Sequence, residues 1–218
     1  MASRIMHLAI SELLLRKTVI RDANRFRLGC ILPDAYNPNA DYRLSKEVSH
    51  YKETVCDGAR RAYRLSLFRE AFGDKMTVDD LYLGYYLHLV MDIFYRRFVY
   101  ETYHWDGSIR ENVERLHRDY WLINSHVVER YHLQNDIVIP EDFEKEPIFR
   151  VYPFGMEQLM LDLEKDFAPM EPGEFFFFTP RMAEEYIEQT AEWCEQEIKA
   201  IREGLPLMDE LQYTWKNT

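Results

Sequence analysis

The chain has 218 residues, 47% of them hydrophobic and 30% charged, with 27 Lys and Arg set against 38 Asp and Glu for a formal charge of −11. These proportions suit a globular protein with a real core, and they exclude a disordered chain, a collagen-like repeat and a disulfide miniprotein. The acidic balance also argues against a nucleic-acid partner, whose binding rests on basic side chains that neutralise phosphates, while leaving room for a small phosphate pocket.

Cys30, Cys56 and Cys194 are widely spaced and odd in number, so they read as small apolar residues in a reducing, cytoplasmic compartment. No apolar run approaches the ~20 residues of a membrane span, so no transmembrane segment is expected. The first 16 residues are helical in pattern. Glu12 interrupts their apolar stretch and no A-x-A-like cleavage site follows, so the segment reads as mature protein rather than as a signal peptide.

In chain order, the pattern predicts a first helix over 3–16. An apolar run, Gly29-Cys30-Ile31-Leu32-Pro33, then ends in a turn at Asp34-Ala35, and Ser49-His50 follows in a polar segment. No proline falls between Pro38 and Pro140, which favours long helices because proline is the strongest breaker. A short helix is expected over 57–72. A long one is expected from the Thr77/Asp80 capping pair to about Tyr103, and another from the Ser108/Glu111 pair to Tyr131. Residues 155–166 form a further short helix. Thr179-Pro180 opens a last helix, with its stripe Ala183, Ile187, Ala191, Cys194, Ile198 and Ile201, and Gly204 stops it. Residues 134–153 and 167–179 read as loops. The second of these holds Phe175 to Phe178, framed by Pro172-Gly173, and burial is the expected fate of those rings rather than contact with lipid. The expected architecture is all-α: one compact multi-helix bundle over residues 1–218 with polar residues converging in its core.

Those polar residues begin with His88 and Asp92, i and i+4 on an otherwise apolar stripe of Leu81, Tyr85, Tyr95 and Val99. An ionised carboxylate buried there needs a partner. A metal ion is one, since imidazole and carboxylate are both zinc ligands. An intrahelical pair with protonated His88, or a neighbouring arginine on Asp92, is another. His7, Asp34 and His50 lie on other segments and supply further candidate ligands. His104, His117, His126 and His132 read as surface or helix-end residues.

Taken together, Ser3-Arg4-Ile5-Met6-His7-Leu8, L-G-x-I-L-P-D-A at 28–35, Ser49-His50 and G-Y-Y-L-H-L-V-M-D at 84–92 resemble the zinc-dependent phospholipase C family. The resemblance covers about the first 95 residues. It implies an all-α fold around a zinc cluster and hydrolysis of phosphodiester bonds. By the same resemblance Asp34, His50, His88 and Asp92 hold one zinc, Asp92 bridges to a second held by His7, and Asp34 is also a candidate catalytic base. The family's remaining ligands are missing: Phe98 replaces a histidine, and neither His117 nor His126 has an acidic residue four positions on. One or two zinc ions are therefore expected, without a third.

The expected function is metal-dependent hydrolysis of a small-molecule or lipid phosphate ester, with Arg4 available either to the substrate phosphate or to a surface salt bridge. A non-catalytic metal-stabilised helical protein and a phosphohydrolase of the HD type are the alternatives. The latter lacks its characteristic His-Asp dipeptide here.

Overall fold

The most apolar stretch of the chain becomes its centre. In the computed structural model, which describes residues 2–171 and 173–217, every residue from Leu81 to Tyr95 is buried. The helix carrying them (α5, Asp80–Arg96) is apolar on all sides and the others wrap it, as expected for an element with no solvent face. Met1 and Pro172 lie outside the described residues, as does the side chain of Arg110.

Around α5 stand α1 (Arg4–Lys17), α2 (Ala23–Ile31), α3 (Tyr42–Ser49), α4 (Leu65–Met76), α6 (Arg110–Tyr131), α7 (Met156–Phe167) and α8 (Pro180–Glu203), making eight α-helices among the described residues. The buried apolar side chains form one continuous cluster. No described helix is long and apolar enough to cross a membrane.

α2 and α5 cross at backbone contact. A Cβ added to Gly29 would overlap the Leu81 carbonyl, and one added to Gly84 would overlap the Phe26 carbonyl. Only hydrogen fits at either place, and this close crossing brings the end of α2 and the turn Leu32–Asp34 beside the middle of α5.

The fold is mostly helical, but the all-α expectation is corrected by a small antiparallel sheet. β1 (Lys52–Val55) pairs with β2 (Arg60–Tyr63) in the register Lys52↔Tyr63 and Val55↔Arg60, and β3 (Trp215–Lys216) adds through Arg61↔Trp215. The hairpin occupies the start of the helix expected over 57–72, which begins instead at Leu65. Asp57-Gly58, preceded by β-branched Thr54 and Val55, is the turn chemistry that wins there, with Cys56 and Asp57 at φ 52° and Gly58 at φ 91°. Cys56 is exposed in this turn, unlike the buried Cys30 and Cys194.

Two helices not expected from the sequence, α2 and α3, open on aspartate caps. Asp22 accepts the Arg25 N–H at the start of α2, and Asp41 accepts the Leu44 N–H at the start of α3. Elsewhere the caps moved slightly. Asp79 rather than Thr77 caps α5, α6 begins at Arg110 with Ser108 bonded to Asp106, and the last turns of the helix expected to Tyr103 widen into a π-helix over Arg97–Thr102. Thr179 and Gly204 close α8 as expected, Thr179 accepting the Met182 N–H and Gly204 standing at φ 65°. Within 134–153, two 3-10 turns form at Phe143–Lys145 and Pro147–Arg150.

The phenylalanine run is only partly buried, which corrects that expectation. Phe178 is fully enclosed, but Phe175 and Phe176 are 37% and 51% exposed. The cause is the buried Asp119 carboxylate, which accepts the backbone N–H groups of Phe176, Phe177 and Phe178, each at 2.8 Å. That pins the backbone and lets only the last ring enter the core.

Candidate metal centre

Five polar residues meet where α1, α2, α3 and α5 converge. His88 and Asp92 face inward from α5, His7 comes from α1, Asp34 from the turn after α2, and His50 from the end of α3. Tyr51, at φ 50°, reverses the chain directly after His50. Four of the five are fully buried, and Asp34 is 5% exposed. The structure thus gathers all five candidate ligands into one cluster.

The ligand-facing atoms are fixed by hydrogen bonds from behind. His88 Nδ1 lies 2.7 Å from the Cys30 carbonyl, which accepts only, so this nitrogen carries the proton. Ser49 Oγ donates to the Pro33 carbonyl at 2.8 Å and lies 2.9 Å from His50 Nδ1, so it accepts the imidazole N–H. Both Nε2 atoms are therefore left with bare lone pairs, and they face each other at 3.2 Å. Burial holds both imidazoles neutral, His50 being pushed down to about 4 and His88 well below its ordinary value. Two lone pairs aimed at one another across that distance could share a cation.

A carboxylate lies on each side of this pair. His50 Nε2 is 3.5 Å from Asp34 Oδ1 and 3.7 Å from Asp92 Oδ2, and His88 Nε2 is 3.9 Å from Asp92 Oδ2. A tetrahedral zinc with bonds of about 2.0–2.1 Å needs ligand edges of about 3.3–3.4 Å. The His50–His88 and His50–Asp34 edges, 3.2 and 3.5 Å, lie within a few tenths of an ångström of that value, and the two edges to Asp92 Oδ2 are longer.

Asp92 divides its oxygens. Oδ2 faces His50 and His88 and accepts the Tyr63 hydroxyl at 3.3 Å, while Oδ1 accepts the Ala2 N–H at 3.2 Å and faces His7 Nε2 at 3.6 Å. His7 stacks on His88 with ring centroids 4.1 Å apart and sets Nδ1 against Met91 Sδ at 3.2 Å. Its buried Nε2 has no hydrogen-bond partner. Donor atoms of His7, His88 and Asp92 lie within 4.8 Å of one another, as do those of Asp34, His50 and His88, giving two overlapping triads that could hold a metal. Burial alone would raise both carboxyls. At Asp34 the charge of Lys46 outweighs it, and at Asp92 the neighbouring His7 does, so both stay well below the usual range.

Of the two non-metal partners expected for Asp92, His88 stands at ion-pair distance, while no arginine bonds it among the described residues. The 3.9 Å separation from His88 is too long for a hydrogen bond, and the partners of Asp92 are a backbone N–H and a tyrosine. No protein-family model, curated protein or solved structure matches the chain.

One side of the cluster opens. A cleft of about 310 Å³ reaches Asp34 and is lined by Arg4, Lys46, Tyr120, Asn124 and Asp166 among others. Arg4 is committed to Asp166 Oδ2 at 2.7 Å, with Asp162 Oδ2 at 3.9 Å, within the wall of this cleft. Sequence reasoning missed Lys46, whose ammonium ion-pairs with Asp34 Oδ1; twelve residues and a turn separate the two and no spacing rule connects them. It also missed Tyr63, which the unexpected hairpin delivers. The Cys30 carbonyl has no sequence signature at all.

The other histidines stand apart. His104 and His132 are exposed, His126 bonds Glu184 at 2.7 Å, and His117 is exposed on α6 at the cleft. Among the described residues, the only groups with metal-ligand spacing are the two triads.

Proposed function

We propose that this protein is a zinc-dependent hydrolase of phosphate esters, similar in its centre to the zinc-dependent phospholipase C family. The observation that carries the reading is the facing pair of His50 and His88 lone pairs at 3.2 Å, flanked by two carboxylates and bordered by a cleft with cationic side chains. Imidazole with carboxylate suits zinc better than calcium or magnesium, which prefer all-oxygen sites.

Asp34, His50, His88 and Asp92 would hold the first ion, and Asp92 with His7 a second. Bound zinc supplies a Lewis acid for the phosphoryl oxygen and a water whose pKa falls to about 7. The residues do the rest. Asp34, at the cleft wall, orients the attacking water and takes its proton. The water oxygen bonds to phosphorus, the ester P–O bond breaks, and the proton ends on the departing alkoxide. The Cys30 carbonyl and Ser49 hold both imidazoles in the tautomer that presents Nε2, as outer partners do in metal sites generally.

The near-complete burial of the ligands favours one other reading, an ion that only ties α1, α3 and α5 together. Zinc content together with turnover on a panel of phosphate monoesters, diesters and phospholipid vesicles separates the two. Zinc bound with hydrolysis supports the enzyme; zinc bound with no ester turned over leaves only the structural ion.

A further inference from the structure

We propose that the cleft takes a small phosphate monoester and that Lys46 is the residue that selects its extra negative charge. This inference rests on the hydrolase reading for its chemistry, and it adds the substrate class.

Lys46 sits near the end of α3 with its side chain only 12% exposed, lining the cleft. Its ammonium is bound to Asp34 Oδ1, the oxygen that also faces His50 Nε2 at 3.5 Å. With an ion at the centre, that single oxygen would serve two cations, the ion and the ammonium. Once it is drawn toward an ion at the centre, Lys46 keeps a shared counter-charge in a largely desolvated position, which is costly unless another anion arrives. The open direction from Lys46 is the cleft.

Arg4 does not compete for this role. Its guanidinium is bonded to Asp166 at 2.7 Å and has Asp162 at 3.9 Å, so its charge is met twice within the wall. The cation with charge to spare is therefore the lysine, not the arginine that the sequence brings forward.

The number of terminal oxygens then decides the ester type. A monoester has three unesterified oxygens and, above its second pKa of about 6, two negative charges. One end of that group can address the centre while another oxygen reaches Lys46. A diester carries one charge, and its second substituent must occupy the space beside Lys46. A cleft of about 310 Å³, in which Ser3, Lys46 and Asn124 stand beside the rings of Tyr42, Tyr120 and Trp121, suits a small molecule with a charged end.

The test uses the full chain loaded with zinc, and reads binding by calorimetry at about pH 8 with inorganic phosphate and dimethyl phosphate, charge probes that need no turnover. Phosphate is expected to bind at least tenfold tighter than dimethyl phosphate, as about one extra charged hydrogen bond implies. Lys46→Met should weaken phosphate about ten- to hundredfold and leave dimethyl phosphate unchanged, while Lys46→Arg keeps most of the affinity. Equal binding of the two probes by the wild type overturns the proposal, and so does a Lys46→Met protein that holds zinc and binds phosphate as before. The wild-type comparison decides alone if the methionine variant loads no zinc. Phosphate bound as expected with no ester hydrolysed would remove the hydrolase reading and leave the anion site standing.

Discussion

His50 and His88 point their Nε2 atoms at each other across 3.2 Å while each spends its Nδ1 proton on an oxygen behind it. Protein interiors rarely hold two acceptors face to face, because a buried polar atom without a partner costs about 1–3 kcal/mol. A cation between them would satisfy both, as the proposed centre requires. Removing either ring should therefore remove the ion. His50→Ala and His88→Ala are each expected to lose the metal of the first site, measured as zinc per chain after dialysis. Unchanged zinc in both variants would defeat the assignment.

Ser49 offers a gentler version of the same experiment. Its hydroxyl holds His50 Nδ1 and hands its own proton to the Pro33 carbonyl, so Ser49→Ala leaves every ligand in place and frees the ring to turn. Loss of an outer partner of this kind weakens metal affinity by about 10- to 100-fold. Competition against a zinc chelator gives the number directly. An affinity equal to the wild type would mean that packing alone orients His50.

The pH dependence of the metal-free protein has a definite sign. Burial holds His50 at about 4 against 6.5 in the unfolded chain, so the unfolded state binds a proton in that window that the folded state refuses. Stability is full above pH 6.5 and falls as pH drops toward about 4, by about 3 kcal/mol from this residue, and lowered His88 acts in the same direction. Asp34 and Asp92 are depressed instead, so their contribution is present above the ordinary carboxylate range and disappears as pH falls through their folded values. Denaturant midpoints across pH 4 to 8 check this. Zinc binding at neutral pH should also release few protons from His50 and His88, already neutral, which calorimetry in buffers of different ionisation enthalpy would read.

How much of this was legible in the sequence follows from which interactions are local. His88 and Asp92 share a helix face, so their spacing alone brings them together, and the segments bearing His7, Asp34 and His50 carried a motif resemblance. The caps Thr179 and Gly204 are local too, and α8 came out as expected. What was not legible is the work of contacts between distant segments. Lys46 meets Asp34 only because α3 folds back over the turn after α2. Tyr63 reaches Asp92 only through the hairpin, whose Asp57-Gly58 signal was overridden by a helical reading of the same stretch. The exposure of Phe175 and Phe176 depends on Asp119, some 56 residues earlier by the numbering, and no periodicity in the loop announces it.

Gly84 tests whether the helix crossing holds the centre together. A methyl group there would meet the Phe26 carbonyl, the Cys30 N and Gly29 Cα, all backbone atoms that cannot rotate away. Gly84→Ala must push α2 from α5, at a cost of about 3 kcal/mol. The Cys30 carbonyl would withdraw from His88 with it. A lower melting temperature accompanied by weaker zinc binding is expected, whereas weaker stability with zinc affinity intact would uncouple the crossing from the site.

Asp92 separates one ion from two. Its Oδ1 faces His7 at 3.6 Å and its Oδ2 faces His50 and His88 at 3.7 and 3.9 Å, so the carboxylate belongs to the His7 triad and lies beside the triad of Asp34, His50 and His88. Asp92→Asn keeps the volume and removes the charge between the two positions. Asp92 is one of the three donors on the His7 side, so an ion there should leave first. The first position retains Asp34, His50 and His88 and should weaken less. If both ions act on the ester, turnover falls by orders of magnitude while the fold survives, since paired metals clamp the attacking and leaving oxygens together. If a single ion suffices, the wild type binds one zinc, and the substitution changes its affinity and the melting temperature in proportion, with no stoichiometric step. Zinc per chain, melting temperature and hydrolysis should be measured on the wild type and Asp92→Asn side by side. One zinc in both proteins, with hydrolysis unaffected, would show that His7 and Oδ1 of Asp92 meet for packing and that the chemistry belongs to the first site alone.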